Sequence, residues 1–440
     1  MRQNKSAVWL FLSATLLALL STKGIVRAAY NDPYAPPSPA AREEAEETGP
    51  KGLLERDTLT DNWFGFGKKL EEQGLTVTLS ATQIYQQNLH GGLSTHRRAG
   101  RYQGGYDLEL TFDLEKLAKI PGGSVYVLGE GSWSNGIDPS SVGSIFGVNG
   151  DVIGTIPIQV SELWYEQSFL NEKVIIRAGK IDLTGGFECK GCPVAFDGSH
   201  YANDQTTQFL NGALVNNPTI PFPWQGLGAA AYVTPVDFWY VAAGAGDAEA
   251  DARETGFNTA FHGSDRFFSI YETGLMPEIP SGKGDLRGAY RVGMWLDPRQ
   301  ERLDGEGYRN DNIGVYTSCD QMVLKEKNDK EDTQGLAAFF RWGSAPAQTS
   351  VIRCFWSVGA QYQGLLPDRD NDIVAFGVAQ GNISPAADLE ASHETALELY
   401  YNIEVTPWLH ISPDVQYIFN PGGDAGNDAV VVGMRVLIAF

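Results

Sequence analysis

From Glu394 to the end of the chain, apolar and polar residues alternate with a period of two. Thr395, Leu397, Leu399, Tyr401, Ile403 and Val405 fall on one side, with Glu394, Glu398, Tyr400, Asn402 and Glu404 on the other. After Thr406-Pro407 the pattern resumes, with Leu409, Ile411, Val415, Tyr417 and Phe419 opposing His410, Ser412, Asp414 and Gln416. A Gly/Asn/Asp-rich loop at 420–427 precedes a last run, which sets Val430, Val432, Met434, Val436, Ile438 and Phe440 against Gly433, Arg435 and Ala439. Successive strand side chains point to opposite faces, so this period predicts strands and excludes helix. One face is apolar and ends in aromatics while the other carries charge, the pattern of a transmembrane β-barrel with a wet lumen. A soluble antiparallel sandwich also alternates, with its apolar face in a core. The charge on the polar face, and a final strand running to Phe440, favour the barrel.

Composition agrees. Fifty glycines and 11% aromatics suit many strands, tight turns and aromatic girdles. A mean hydropathy of -0.22 excludes a helical membrane bundle, and beyond the N-terminus no run approaches the ~20 apolar residues of a spanning helix.

The N-terminus predicts export. Arg2 and Lys5 precede an apolar stretch, Ala7 to Leu20, and Val26-Arg27-Ala28 places small residues at a cleavage site, so residues 1–28 read as a signal peptide. Removing them takes away Arg2, Lys5, Lys23 and Arg27 and moves the formal charge from -21 to -25. That acidity argues against nucleic acid as a partner. Residues 29–61 are Pro-rich and then acidic and predict a flexible periplasmic linker. Trp63 to Gln73 predicts a short amphipathic periplasmic helix closed by Gly74.

About sixteen strands follow over 62–440, near 75–88, 101–113, 123–134, 157–169, 172–181, 226–234, 237–246, 267–276, 286–297, 311–324, 334–343, 350–363, 371–381, 392–405, 407–419 and 428–440. Most are close to the length a tilted barrel strand needs. Short connections at Asn171, Thr234-Pro235 and Thr406-Pro407 alternate with longer ones, as periplasmic turns alternate with external loops. Residues 183–225 break the rhythm. A structureless stretch of that length is usually functional, and the lumen of a wide barrel is narrowed by a loop folded inward. Residues 183–225 therefore predict a constriction segment, with a large external loop as the alternative.

Cys189 and Cys192 lie within this segment and read as a local disulfide, with free thiols as the alternative. Cys319 and Cys354 fall in strand-like runs, no Cys/His set completes a metal site, and nothing calls for a cofactor.

Several ordered motifs resemble the carbohydrate-selective porin family of the OprB type over about 62–440. They begin with Asn62-Trp63-Phe64-Gly65, then Glu162-Leu163-Trp164-Tyr165-Glu166-Gln167 and Arg177-Ala178-Gly179-Lys180. Asn203-Asp204, Phe209-Leu210-Asn211 and Asn217-Pro218 follow in the central segment. The closing stretch carries Glu398-Leu399-Tyr400-Tyr401, Val405-Thr406-Pro407-Trp408-Leu409, Pro413-Asp414-Val415-Gln416-Tyr417 and Asn420-Pro421-Gly422-Gly423. The resemblance implies passive diffusion of sugars through a channel in the outer membrane of a Gram-negative-type cell, as monomer or trimer.

Alternation also assigns a pore face. It turns Arg287, Arg291 and Trp295 inward opposite Val292 and Met294, Arg341 inward opposite Phe340, Arg353 inward opposite Ile352, and Arg177 inward opposite Ile176. Glu162, Trp164 and Glu166 share one face, as do Glu394 and Glu398. With Asp197, Asn203, Asp204, Phe209 and Asn211 of the constriction segment, these are the candidate pore-lining residues. Charged groups exchange hydrogen bonds with sugar hydroxyls, and Trp164 or Trp295 could stack on a pyranose; the alternative is that inward charges pair and brace the wall. No histidine sits in a GxSxG or HExxH frame, so an enzyme is not expected. A non-selective porin and a secreted sugar-binding sandwich stand as alternatives.

Overall fold

The computed structural model describes residues 52–151, 154–188, 209–251, 266–299, 309–328 and 334–440. The signal peptide, most of the linker, Cys189, Cys192, Asp197, Asn203 and Asp204 lie outside them.

Among the described residues, seventeen strands form one antiparallel sheet closed by pairing of β1 with β17. They are β1 (Leu75–His90), β2 (Gly100–Asp113), β3 (Gly123–Trp133), β4 (Gln159–Phe169), β5 (Val174–Ile181) and β6 (Gly226–Val236). Next come β7 (Trp239–Asp247), β8 (Phe267–Leu275), β9 (Glu278–Ser281), β10 (Gly284–Asp297), β11 (Asn312–Lys325) and β12 (Gly335–Ser344). The last are β13 (Ile352–Gln363), β14 (Ile373–Ile383), β15 (His393–Thr406), β16 (Leu409–Phe419) and β17 (Ala429–Ala439). Strand β9 is a four-residue hairpin arm on β10, which pairs directly with β8 above it. The wall is thus a closed barrel of sixteen strands. Closure removes the exposed edges that a sheet in lipid could not satisfy.

The outer surface carries the apolar phase: Val292, Met294, Phe340, Val358, Phe376 and Leu399 all point away from the lumen. Opposite them the inner face changes character around the barrel. From β6 to β14 small residues, including Gly228, Ala230, Gly244, Gly343, Gly377 and Gly381, are set among large inward side chains such as Tyr232, Phe268, Trp295 and Tyr316. Apolar side chains from the loops lie on that wall. A Cβ on Gly244 would stand 2.7 Å from the Phe187 ring, one on Gly377 2.9 Å from Leu214, and one on Gly381 2.6 Å from Phe146. The apolar core therefore sits inside the barrel, between wall and loop. Each such side chain taken fully out of water contributes roughly 1.5–3 kcal/mol, which favours the inward position of the loop.

The strand phase departs from strict alternation at bulges. One lies between Ile352 and Cys354, where β13 gains a residue against β14. It turns Ile352 into the internal apolar cluster and leaves Arg353 exposed at the strand's start. The expectation of an inward Arg353 and an outward Ile352 is corrected accordingly, because an inserted residue reverses the side-chain phase.

At the N-terminal end, the helix spans Phe66–Glu72. It begins later than the sequence predicts because Asp61 to Phe64 all have positive φ and form a left-handed turn. The residues just before it are fastened to the barrel: Trp408 Nε1 donates to Leu53 O at 2.8 Å and Leu59 N to Ala439 O at 2.8 Å. Linker behaviour therefore does not extend to residues 52–61.

Candidate permeation site in the lumen

Two loops enter the lumen and meet there. The connection from β3 to β4 contributes 138–151, and the connection from β5 to β6 contributes 209–222. Gly150 N donates to Leu210 O at 2.6 Å, and Gly212 N to Gly147 O at 3.1 Å. Asn211 starts the short helix Gly212–Val215, its side chain accepting from Ala213 N at 3.1 Å as an N-cap should.

The wall holds this pair of loops mainly through their backbone. Glu398 of β15, 1% exposed, accepts from Leu210 N and Asn211 N, both at 2.7 Å. Glu394, two inward positions away, accepts from Ser144 Oγ at 2.5 Å, Ile145 N at 2.9 Å and Gly422 N at 2.7 Å. Val148 O receives Gln86 Nε2 at 2.7 Å and Gln416 Nε2 at 2.9 Å. Arg435 of β17 pairs with Asp151 at 3.0 Å, both side chains almost wholly buried.

Across the lumen the arrangement repeats. Glu272 of β8 accepts from Glu188 N at 2.7 Å and from the hydroxyls of Tyr240 and Tyr316 at 2.6 and 2.9 Å. Arg341 Nη1 donates to Val215 O at 2.9 Å. Arg291 pairs with Asp320 at 2.7 Å and reaches Ser318 Oγ at 3.2 Å. Buried carboxylates and guanidinium groups are costly unless satisfied in this way.

These contacts decide what the predicted pore residues can touch. Glu394, Glu398, Arg291 and Arg341 lie inside the barrel but are engaged in holding loops and wall, as are Phe209 and Asn211. Trp295 is 1% exposed in the apolar cluster, its ring 6.4 Å from Phe268. Trp164 is stacked on Tyr126 of β3 at 4.7 Å, and the Arg177 guanidinium of β5 lies 4.2 Å from its centroid. Neither tryptophan presents a bare ring to the lumen, which corrects the expectation that they stack on sugar. Arg287 sits at the rim near the short β8–β10 connection, more than half exposed and 3.5 Å from Glu278 of the β9 arm.

Four predicted residues come together on one stretch of wall. Arg177 Nε meets Glu166 Oε2 at 2.7 Å, and Glu162 accepts from Trp164 Nε1 at 2.9 Å. Glu162 and Glu166 keep part of their surface open to the lumen. Next to them on β2 and β3, Asp107, Glu109 and Glu130 face the same way. Sequence reasoning missed these last three, although the alternation of 101–113 and 123–134 carries the signal. The lumen thus has a side on β6–β14 covered by loops and a carboxylate-rich lane on β2–β5.

A closed antiparallel barrel, apolar outside, charged inside and narrowed by loops folded into it, defines a porin. The family model described as "Carbohydrate-selective porin, OprB family" matches residues 97–440, and the chain belongs to that family. Porin B of Pseudomonas aeruginosa is 23% identical over 424 residues, covering 87% of this chain and 91% of that protein. The putative porin QuiX of Acinetobacter baylyi is 22% identical, covering 88% and 94%. Among solved structures, the high-pH form of Pseudomonas putida OprB superposes with a TM-score of 0.76 at 20% identity, over 89% of this chain and 100% of that one. That likeness supports the barrel.

Proposed function

We propose that the chain is an outer-membrane channel through which neutral sugars and small solutes diffuse passively, along the lane of β2–β5. One observation carries this reading: away from the loop-covered side, the inner face of β2–β5 is rich in carboxylates, with the Arg177–Glu166 pair set into it and a small part of each side chain exposed. Carboxylates accept from sugar hydroxyls and a guanidinium donates to them, so hydration is exchanged for wall contacts at low net cost. Conduction requires several such weak contacts rather than one tight one. Catalysis is no part of this reading.

Single-channel recording in planar bilayers tests it, with mono- and disaccharides titrated into the bath. The expected result is stepwise conductance that falls saturably with sugar. In Arg177→Ala the half-blocking sugar concentration should rise about tenfold, the equivalent of one charge-assisted hydrogen bond of roughly 1.5 kcal/mol. Conductance indifferent to sugars would leave a general porin; protein that stays soluble without detergent and forms no channel would remove the reading altogether.

A further inference from the structure

We propose that Glu398 is a positioning residue that sets the aperture of the channel, by holding a joint between two loops at their main chain. This rests on the channel reading above and deepens it. The joint is formed where 147–150 and 210–212 run beside each other, with Gly150 N on Leu210 O and Gly212 N on Gly147 O. Glu398 takes both main-chain amides at the joint, Leu210 N and Asn211 N, with its two carboxylate oxygens. Asn211 adds a side-chain bond to Gln416 Oε1 at 3.1 Å.

The joint itself is glycine because nothing larger fits. A Cβ on Gly212 would lie 2.2 Å from Phe146 O, a backbone atom that cannot turn aside, while Gly150 packs its own Cβ position 3.1 Å from Gly212 Cα. Gly212→Ala therefore separates the loops from within, and a change at Glu398 releases them from the wall. These are chemically unrelated perturbations of one element. An aperture set at the joint responds to both in the same direction.

The glutamate can be graded. In Glu398→Gln one oxygen still accepts, but the amide nitrogen cannot, so one of the two loop amides is left without its partner. Glu398→Ala removes both acceptors and leaves buried N–H groups that water must enter to satisfy.

The test measures single-channel conductance and the size cut-off for neutral polyethylene glycols in wild type, Glu398→Gln, Glu398→Ala, Gly212→Ala and the Glu398→Ala/Gly212→Ala double variant. Heat-modifiable mobility on denaturing gels checks that each barrel is intact. The expected result is a rise in conductance of about twofold or more in Gly212→Ala and Glu398→Ala, a smaller rise in Glu398→Gln, a larger polymer cut-off, and no further gain in the double variant, because pore width limits flux. Intact barrels with unchanged conductance and cut-off would overturn the proposal, as would a Gly212→Ala change that adds to that of Glu398→Ala. Failure of both single variants to form heat-modifiable barrels would also overturn it, by making the joint part of the scaffold. Because polymer cut-off reports width without sugar, a wild-type channel indifferent to sugars would defeat the sugar reading and leave this one to stand or fall separately.

Discussion

Replacing Arg435 by methionine probes a buried ion pair between wall and loop. Arg435 Nη1 and Asp151 Oδ2 are 3.0 Å apart, with side chains 2% and 0% exposed. Methionine keeps much of the apolar stem and removes the cation, so the Asp151 carboxylate loses its counter-charge in a site closed to water. Breaking such a pair from one side costs about 3–5 kcal/mol. The wall around Arg435 is a continuous ladder, with β17 paired to both β16 and β1, whereas Asp151 belongs to an inward loop. The cost therefore appears as local opening of the loop rather than loss of the barrel. At about 1.4 kcal/mol per factor of ten, amides of 147–150 should exchange with deuterium about a hundred- to a few-thousand-fold faster. Hydrogen exchange of the detergent-solubilised protein measures this directly. The Arg435→Met/Asp151→Asn variant, which removes both charges, should recover most of the protection. Exchange in 147–150 unchanged by Arg435→Met would refute the reasoning, as would acceleration confined to β17.

Two further outcomes follow from the fold. Burial pushes the Asp138 carboxyl up to about 7, with Glu394 adding to the effect against a bond from Ser144 N; its contribution to loop stability is therefore in place below the ordinary carboxylate range and lost as pH rises through about 7. Amide protection of 138–146 should fall between pH 5 and 8, and Asp138→Asn should flatten the change; an equal fall in the variant would exclude Asp138 as its source. On the outer wall Phe376 points away from the lumen in mid-strand, and Phe376→Arg should cost about 2–4 kcal/mol in reversible folding into bilayers, as a guanidinium facing lipid does; a neutral result would mean that β14 does not face lipid.

The barrel was legible because a period of two, sustained over many strands, admits few other architectures. The assignments of Arg291, Arg341 and Glu398 to the inner face needed only that period. Arg353 was lost because a bulge reverses phase without leaving a mark in composition. The uses of the inward residues were less legible. Alternation says that Glu394 and Glu398 point inward but not that loop amides are waiting for them, since all of those partners but Gly422 lie some 180 to 250 residues away in sequence. Trp164 and Trp295 were misjudged for a related reason: whether an inward ring is bare depends on its cross-strand neighbours, Tyr126 and Arg177 for one and Phe268 for the other. The small-residue wall was visible in Gly226 to Ala231 and Ala242 to Gly246. It reads as mere strand weakness until one asks what could rest on it.

The grip of Glu272, Glu394 and Glu398 on main-chain amides has a consequence for redesign. An amide N–H is the same at every residue except proline, so, apart from the Ser144 hydroxyl that Glu394 also holds, these anchors are indifferent to which side chains the loops carry at the positions they hold. The loops could then be rewritten much as antibody loops are, one surface residue at a time, while the frame keeps their path. Solute preference and barrel integrity would become separable properties of a single chain, and the residues to avoid would be few: proline at 145, 188, 210, 211 and 422, and anything larger than glycine at 212.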